Sequence, residues 1–168
     1  MSRSLLADAI GHHAWATLRL IDACAALTPE QLTSTVPGTY GSILDTLRHL
    51  IGSDSRYLSI LCGERTAPSE TDAMSLAELR GVMEASAAGW GELAAGEIDP
   101  EAISVRRRAD GSETRAPASI RLAQVLHHGT DHRSQICTAL TQLGIEPPEI
   151  DVWDYGRAEG RVITTRPG

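Results

Sequence analysis

The chain of 168 residues contains no phenylalanine, and neither lysine nor asparagine occurs anywhere along it. Arginine therefore supplies every fixed positive side-chain charge, a compositional habit that points to no mechanism. Cysteine is scarce: Cys24, Cys62 and Cys137 are too scattered for a disulfide framework, and none forms a CxxC pair. They read as structural thiols in a reducing compartment. No apolar run approaches the ~20 residues that a membrane span needs. The opening MSRSLLADAIGHHAW has no apolar core of the secretory kind, so a soluble, cytoplasmic protein is expected. Positive charge is also in deficit, with a net charge of −7 and a pI near 5.3. Nucleic-acid binders concentrate cations to replace phosphate counterions, which argues against that class. The one basic run, Arg106-Arg107-Arg108, is followed by Asp110 and Glu113 and reads as a solvated strand or turn.

What is present is a globular balance of 42% hydrophobic and 22% charged residues. A chain of this length buries roughly 70% of the surface its unfolded form exposes. One domain over residues 1–168 is expected.

Four stretches carry helical periodicity. The first, from about Ser4 to Leu27, places Leu6, Ile10, His13, Thr17, Leu20, Cys24 and Leu27 on one stripe. Thr28-Pro29-Glu30-Gln31 then opens a short new helix, with proline in its first turn. The segment from Ser34 to Gly41 reads as a loop. The second long helix, about Ser42 to Leu61, aligns Ile43, Leu47, Leu50, Asp54, Leu58 and Leu61, with Gly63 at its C-terminal cap. The third starts near Ser75, which forms a capping box with Glu78, and runs to about Ala95 through the weakening glycines Gly89 and Gly91. Between Ala102 and Pro117 the period becomes two, and Asp110-Gly111 predicts a two-residue hairpin turn. The fourth long helix, about Ser119 to Leu143, ends at Gly144. The tail around Asp151 to Tyr155 is expected to be an irregular segment lying on the helices. Together these elements predict an all-α, up-and-down four-helix bundle with antiparallel helices and a short β-hairpin between helices three and four.

The histidines carry the chemistry. His128 and His132 stand four apart, about 6 Å along a helix axis and about 40° around it, so two imidazoles can converge on one metal ion. His132 falls inside the stripe of Leu122, Val125, Gly129, Ile136 and Leu140, and His128 at its edge. Core packing is the competing explanation of such a pair. Gly129 reduces bulk beside the pair, and His127 faces away from the stripe. A tetrahedral zinc site needs a third protein ligand and, for catalysis, an open position. Periodicity puts His49 on a flank with Thr46 and Ser53, where it either lines a cleft or faces water. His13, within the first stripe, is a packed core histidine, a substrate-side residue or a fourth ligand. Asp54 lies on an apolar stripe, where a buried carboxylate needs a partner such as a histidine ring nitrogen or an arginine. Arg133 pairs with a carboxylate or contacts an anionic substrate. Arg56 reads as solvated and Tyr57 as half-buried, with a reach toward substrate the alternative for both.

Three segments resemble the DinB/YfiT-like family of DNA-damage-inducible proteins. AWATLRLIDACAALTPEQL resembles its first helix, with Trp15 at the characteristic tryptophan. GSILDTLRHLIGSDSRYLSIL resembles the second, where the family places its first metal histidine at the position of His49. LHHGTDHRSQI resembles the fourth-helix signature of histidine, three residues, then histidine and arginine; His127 stands where asparagine is common. The resemblance implies a usually dimeric four-helix bundle binding a divalent ion through His49, His128 and His132.

It further implies a metal-dependent transferase that uses a low-molecular-weight thiol, such as bacillithiol, mycothiol or glutathione, against a small electrophile. Zinc is the expected ion, with nickel the alternative. An ion at such a site lowers the pKa of a bound thiol or water. Two other readings use the same residues: a metal-dependent hydrolase, and a non-catalytic, metal-clamped stress-response or scaffold bundle closed by a fourth ligand. The expected homodimer has Trp15 and Leu18, off the first stripe, available as an interface or as cover for the tail around Trp153.

Overall fold

A computed structural model describes residues 5–63 and 70–165, with the side chain of Leu5 excepted. Among these, six helices and one two-stranded antiparallel sheet follow the order α1 Leu5–Cys24, α2 Pro29–Thr33, α3 Ile43–Leu61, α4 Leu76–Ala95, β1 Ile103–Arg107, β2 Glu113–Pro117, α5 Ala118–Gln142 and α6 Val152–Ala158. Ser4, the expected first helical residue, lies outside the described part.

Helix boundaries follow local chemistry. Thr28 and Gln31 close a capping box around α2, and Ser75 and Glu78 close another around α4. Ser42 caps α3 by accepting the Asp45 N–H at 3.1 Å. Gly63 and Gly144 adopt φ of +70° and +74° just past α3 and α5. Despite its two glycines, α4 continues to Ala95, and Gly89 lets Leu58 approach: an added Cβ would sit 2.7 Å from Leu58 Cδ2.

Two details differ from expectation. The hairpin pairs Arg107 with Glu113, and the Arg108 N–H donates to the Ser112 carbonyl at 3.0 Å. The loop is therefore Ala109-Asp110-Gly111, a residue longer than expected, with Gly111 supplying φ +82°. The tail forms a helix, α6, where an irregular segment was expected. Asp151 caps it by accepting the Asp154 N–H at 2.7 Å, and Tyr155 is buried beneath it. The His12 Nε2–H donates to the Ile150 carbonyl at 2.8 Å, and Trp15 packs on Tyr155 with ring centroids 5.7 Å apart. Trp15 thus covers the tail through Tyr155, and Leu18 packs on the core; Trp153 itself is exposed.

The helix directions also differ from a strict alternation. α1 packs on α4 and α5, and α3 packs on the same two helices. The buried residues form two apolar clusters, one with Leu20, Leu47, Met83 and Leu140, the other with Ile10, Leu58, Trp90 and Leu122. α1 and α5 run from the second cluster to the first, whereas α3 and α4 run from the first to the second. The neighbours α3 and α4 are therefore parallel. Residues 62–75 make this possible, since fourteen residues can reach about 45 Å and α3 is only about 28 Å long. Thr71 and Met74, ahead of α4, lie beside α3: the Thr71 hydroxyl donates to the Arg48 carbonyl at 2.8 Å, and Arg48 Nε–H donates to the Met74 carbonyl at 3.0 Å.

Each long helix carries a buried polar residue between its contributions to the two clusters: His13, Asp54, Ser86 and Arg133. Three of them, His13, Asp54 and Arg133, meet between the clusters. The hairpin is fastened to α5 by the buried Arg121, which donates to the Ser104 hydroxyl and carbonyl and, at 3.0 Å, to the Thr114 carbonyl.

Candidate metal centre

His49 on α3 and His128 and His132 on α5 bring one ring nitrogen each within 4.8 Å of one another. The Nε2 atoms of His49 and His128 are 3.1 Å apart. A tetrahedral ion bound at about 2.0–2.1 Å spaces its nitrogen ligands about 3.3 Å apart, close to the His49–His128 separation, and the His132 nitrogen, within 4.8 Å of both, would draw in to complete the set. Three imidazoles also match the chemistry of zinc, copper, iron or nickel better than that of calcium or magnesium. His132 is buried, while His49 and His128 are half-buried and open toward solvent. Periodicity allowed His49 either a cleft or solvent; antiparallel packing of α3 on α5 turns it toward His128.

Electrostatics favour the neutral form of His49 and His128, the form a ligand must take. Burial, then the neighbouring His132 and His49, pushes His128 down to about 4. Burial, then His132 and the nearby charge of Arg56, lowers His49 from its ordinary value. Arg56 is half-buried beside the centre, and Tyr57 is half-buried with its ring edge-on to His128 at 6.0 Å.

Two residues at this centre went unread in the sequence. Tyr40, from the loop before α3, stacks on His49 with centroids 4.1 Å apart and lies edge-on to His132 at 5.4 Å. Gln135 Oε1 lies 3.0 Å from His132 Nδ1 and accepts the Tyr40 backbone N–H at 3.1 Å. Gln135 was legible in principle, because three residues after His132 is the same helical face. Tyr40 sits in a loop whose path no periodicity gives.

His13, Asp54 and Arg133 form a separate buried network. His13 Nε2 lies 2.7 Å from Asp54 Oδ1, and Trp90 Nε1–H donates to both carboxylate oxygens at 3.0 and 2.9 Å. Arg133 Nη1 lies 3.1 Å from His13 Nδ1 and donates to the Thr17 hydroxyl at 3.1 Å. Both ring nitrogens of His13 are thereby engaged, and at 1% exposure it contacts no solvent. It is a core residue and does not join the three clustered histidines. Asp54 does hold a histidine nitrogen, that of His13, and none of the three clustered histidines. Arg133 meets the network through His13, and burial pushes it down to about 10. Gly129 leaves space for this network and not for the clustered pair: an added Cβ would lie 2.4 Å from His13 Cε1. His127 is exposed.

The cysteines match the structural reading. Cys24 is buried and pushed up to about 12 by burial, and Cys24, Cys62 and Cys137 form no disulfide.

The DinB family model matches residues 1–166, and the chain belongs to that family. No curated protein matches it. No described helix is long and apolar enough to cross a membrane.

Proposed function

We propose that His49, His128 and His132 hold one divalent ion, zinc in preference to nickel, and that the protein is a metal-dependent transferase joining a low-molecular-weight thiol to a small electrophile. The carrying observation is the convergence of three imidazole nitrogens within 4.8 Å on the facing sides of α3 and α5. When bound, the ion would depress the pKa of a thiol and supply a thiolate at neutral pH. The chain's own residues do the rest. His49 and His128 stay neutral and solvent-accessible, Tyr40 and Tyr57 wall the centre with aromatic surface, and Arg56 adds positive charge beside it. Among the described residues no further His, Cys, Asp or Glu joins the three, which favours an open site over a closed structural clamp. The proposal includes one DinB-type four-helix bundle, assembled as a homodimer and working in the cytoplasm.

Elemental analysis of dialysed, tag-free protein beside His132→Ala is the direct test. About one zinc or nickel per chain, lost in the variant, is expected for a three-ligand site. Absence of metal from the wild type, with none taken up on titration, would sink the proposal. Thiol-dependent consumption of electrophiles then separates the transferase from a hydrolase, whose turnover needs no thiol.

A further inference from the structure

Gln135 joins two elements that are 95 residues apart in the chain, Tyr40 and α5. A backbone N–H only donates, so the Gln135 atom that receives it from Tyr40 is the carbonyl oxygen. That same oxygen lies 3.0 Å from His132 Nδ1. Oxygen cannot donate here, so His132 must carry its proton on Nδ1. A neutral imidazole protonated there has its lone pair on Nε2, free to bind an ion. The bond also seats the loop. The Tyr40 ring rests on His49 at 4.1 Å, and a bridge between Thr35 and Ser42 closes the loop at the start of α3. One side-chain oxygen thus touches the loop and α5, and through Tyr40 reaches the histidine of α3.

We propose that Gln135 is a positioning residue that makes the ligand-competent tautomer of His132 and the seating of the Tyr40 loop on His49 a single event. Because both partners share one acceptor, losing it releases both. The inference rests on the metal-site reading for its consequence, zinc affinity, but its structural content concerns the metal-free protein.

Long-range 15N–1H NMR of the histidine rings in metal-free protein reads the tautomer, and competition with a chromophoric chelator reads zinc affinity. Four proteins decide the matter: wild type, Gln135→Leu, Gln135→Glu and Tyr40→Ala. The wild type is expected to hold His132 protonated on Nδ1. Gln135→Leu should lose that preference and shift the Tyr40 amide resonance, and its zinc affinity should fall about 10–100-fold. Gln135→Glu keeps an acceptor for both donors, so it should restore the tautomer and hold affinity within a few-fold. Tyr40→Ala keeps its backbone N–H and should leave the His132 tautomer unchanged, which distinguishes the bond from aromatic packing. A wild-type tautomer in Gln135→Leu, or undiminished zinc affinity there, would overturn the inference. If no protein takes up zinc, the metal reading fails by itself, and the tautomer and the Tyr40 amide still decide on Gln135.

Discussion

Asp54 gives up water for three hydrogen bonds from groups on two other helices, one from His13 and two from Trp90. Removing one member of such a buried set leaves the others unpaired, a cost of about 3–5 kcal/mol. Asp54→Ala should lose stability on that scale in urea denaturation, because His13 and Trp90 lose their acceptor and Arg133 the favourable charge of Asp54. Since Asp54 touches none of the three clustered histidines, zinc uptake by the folded variant should persist. A loss below ~1 kcal/mol would remove this network from the centre of the fold. Protonation acts at the same scale. His128 titrates at about 4 when folded, against about 6.5 when unfolded, so the unfolded chain binds more protons between those values. The stability of metal-free protein should be full above about pH 7 and fall as pH drops from 6.5 toward 4. Thermal melts across that range check the sign, and His128→Gln should flatten the slope.

Between elements, close approach is set by what one helix leaves out. α5 meets α1 across Gly129, where the His13 ring occupies the space of a side chain. Gly129→Ala forces backbone or ring to move, and overpacking of this kind costs roughly 1–3 kcal/mol. Helix propensity alone would make the same change stabilising by about 1 kcal/mol, so the sign of the measured difference identifies which effect governs. Arg121 is the side-chain tie between α5 and the hairpin, beside the backbone bonds from Ala118 and Ser119 to the Ala102 and Pro100 carbonyls. Arg121→Ala should speed amide exchange in 103–107 and 113–117 by about tenfold or more, as its three hydrogen bonds to the hairpin are lost, while exchange at the centre of α5 holds.

For the whole molecule, the candidate centre lies between α3 and α5, which are joined in the chain only through α4 and the hairpin. An ion bound there ties distant segments together and binds the folded state alone. Zinc at 100 times its Kd should therefore add about 2.7 kcal/mol to stability. Differential scanning calorimetry of wild type and His132→Ala, with and without zinc, tests this. An equal rise in both would place the effect elsewhere.

Much of this protein is legible in its residues one stretch at a time. Caps at Ser42 and Ser75, stops at Gly63 and Gly144, the hairpin, and the spacing of His128 and His132 are local signals, because hydrogen bonds within a helix or turn span only a few residues. The tertiary structure decided what local signals cannot contain. Periodicity tells which face of a helix is buried, but not which neighbour buries it or in which direction that neighbour runs. Hence α3 and α4 lie parallel against expectation, and His13 turned from a candidate at the metal centre into the bridge between Asp54 and Arg133. His49 met His128, and Tyr40 met Gln135, only when packing brought together residues 79 and 95 positions apart.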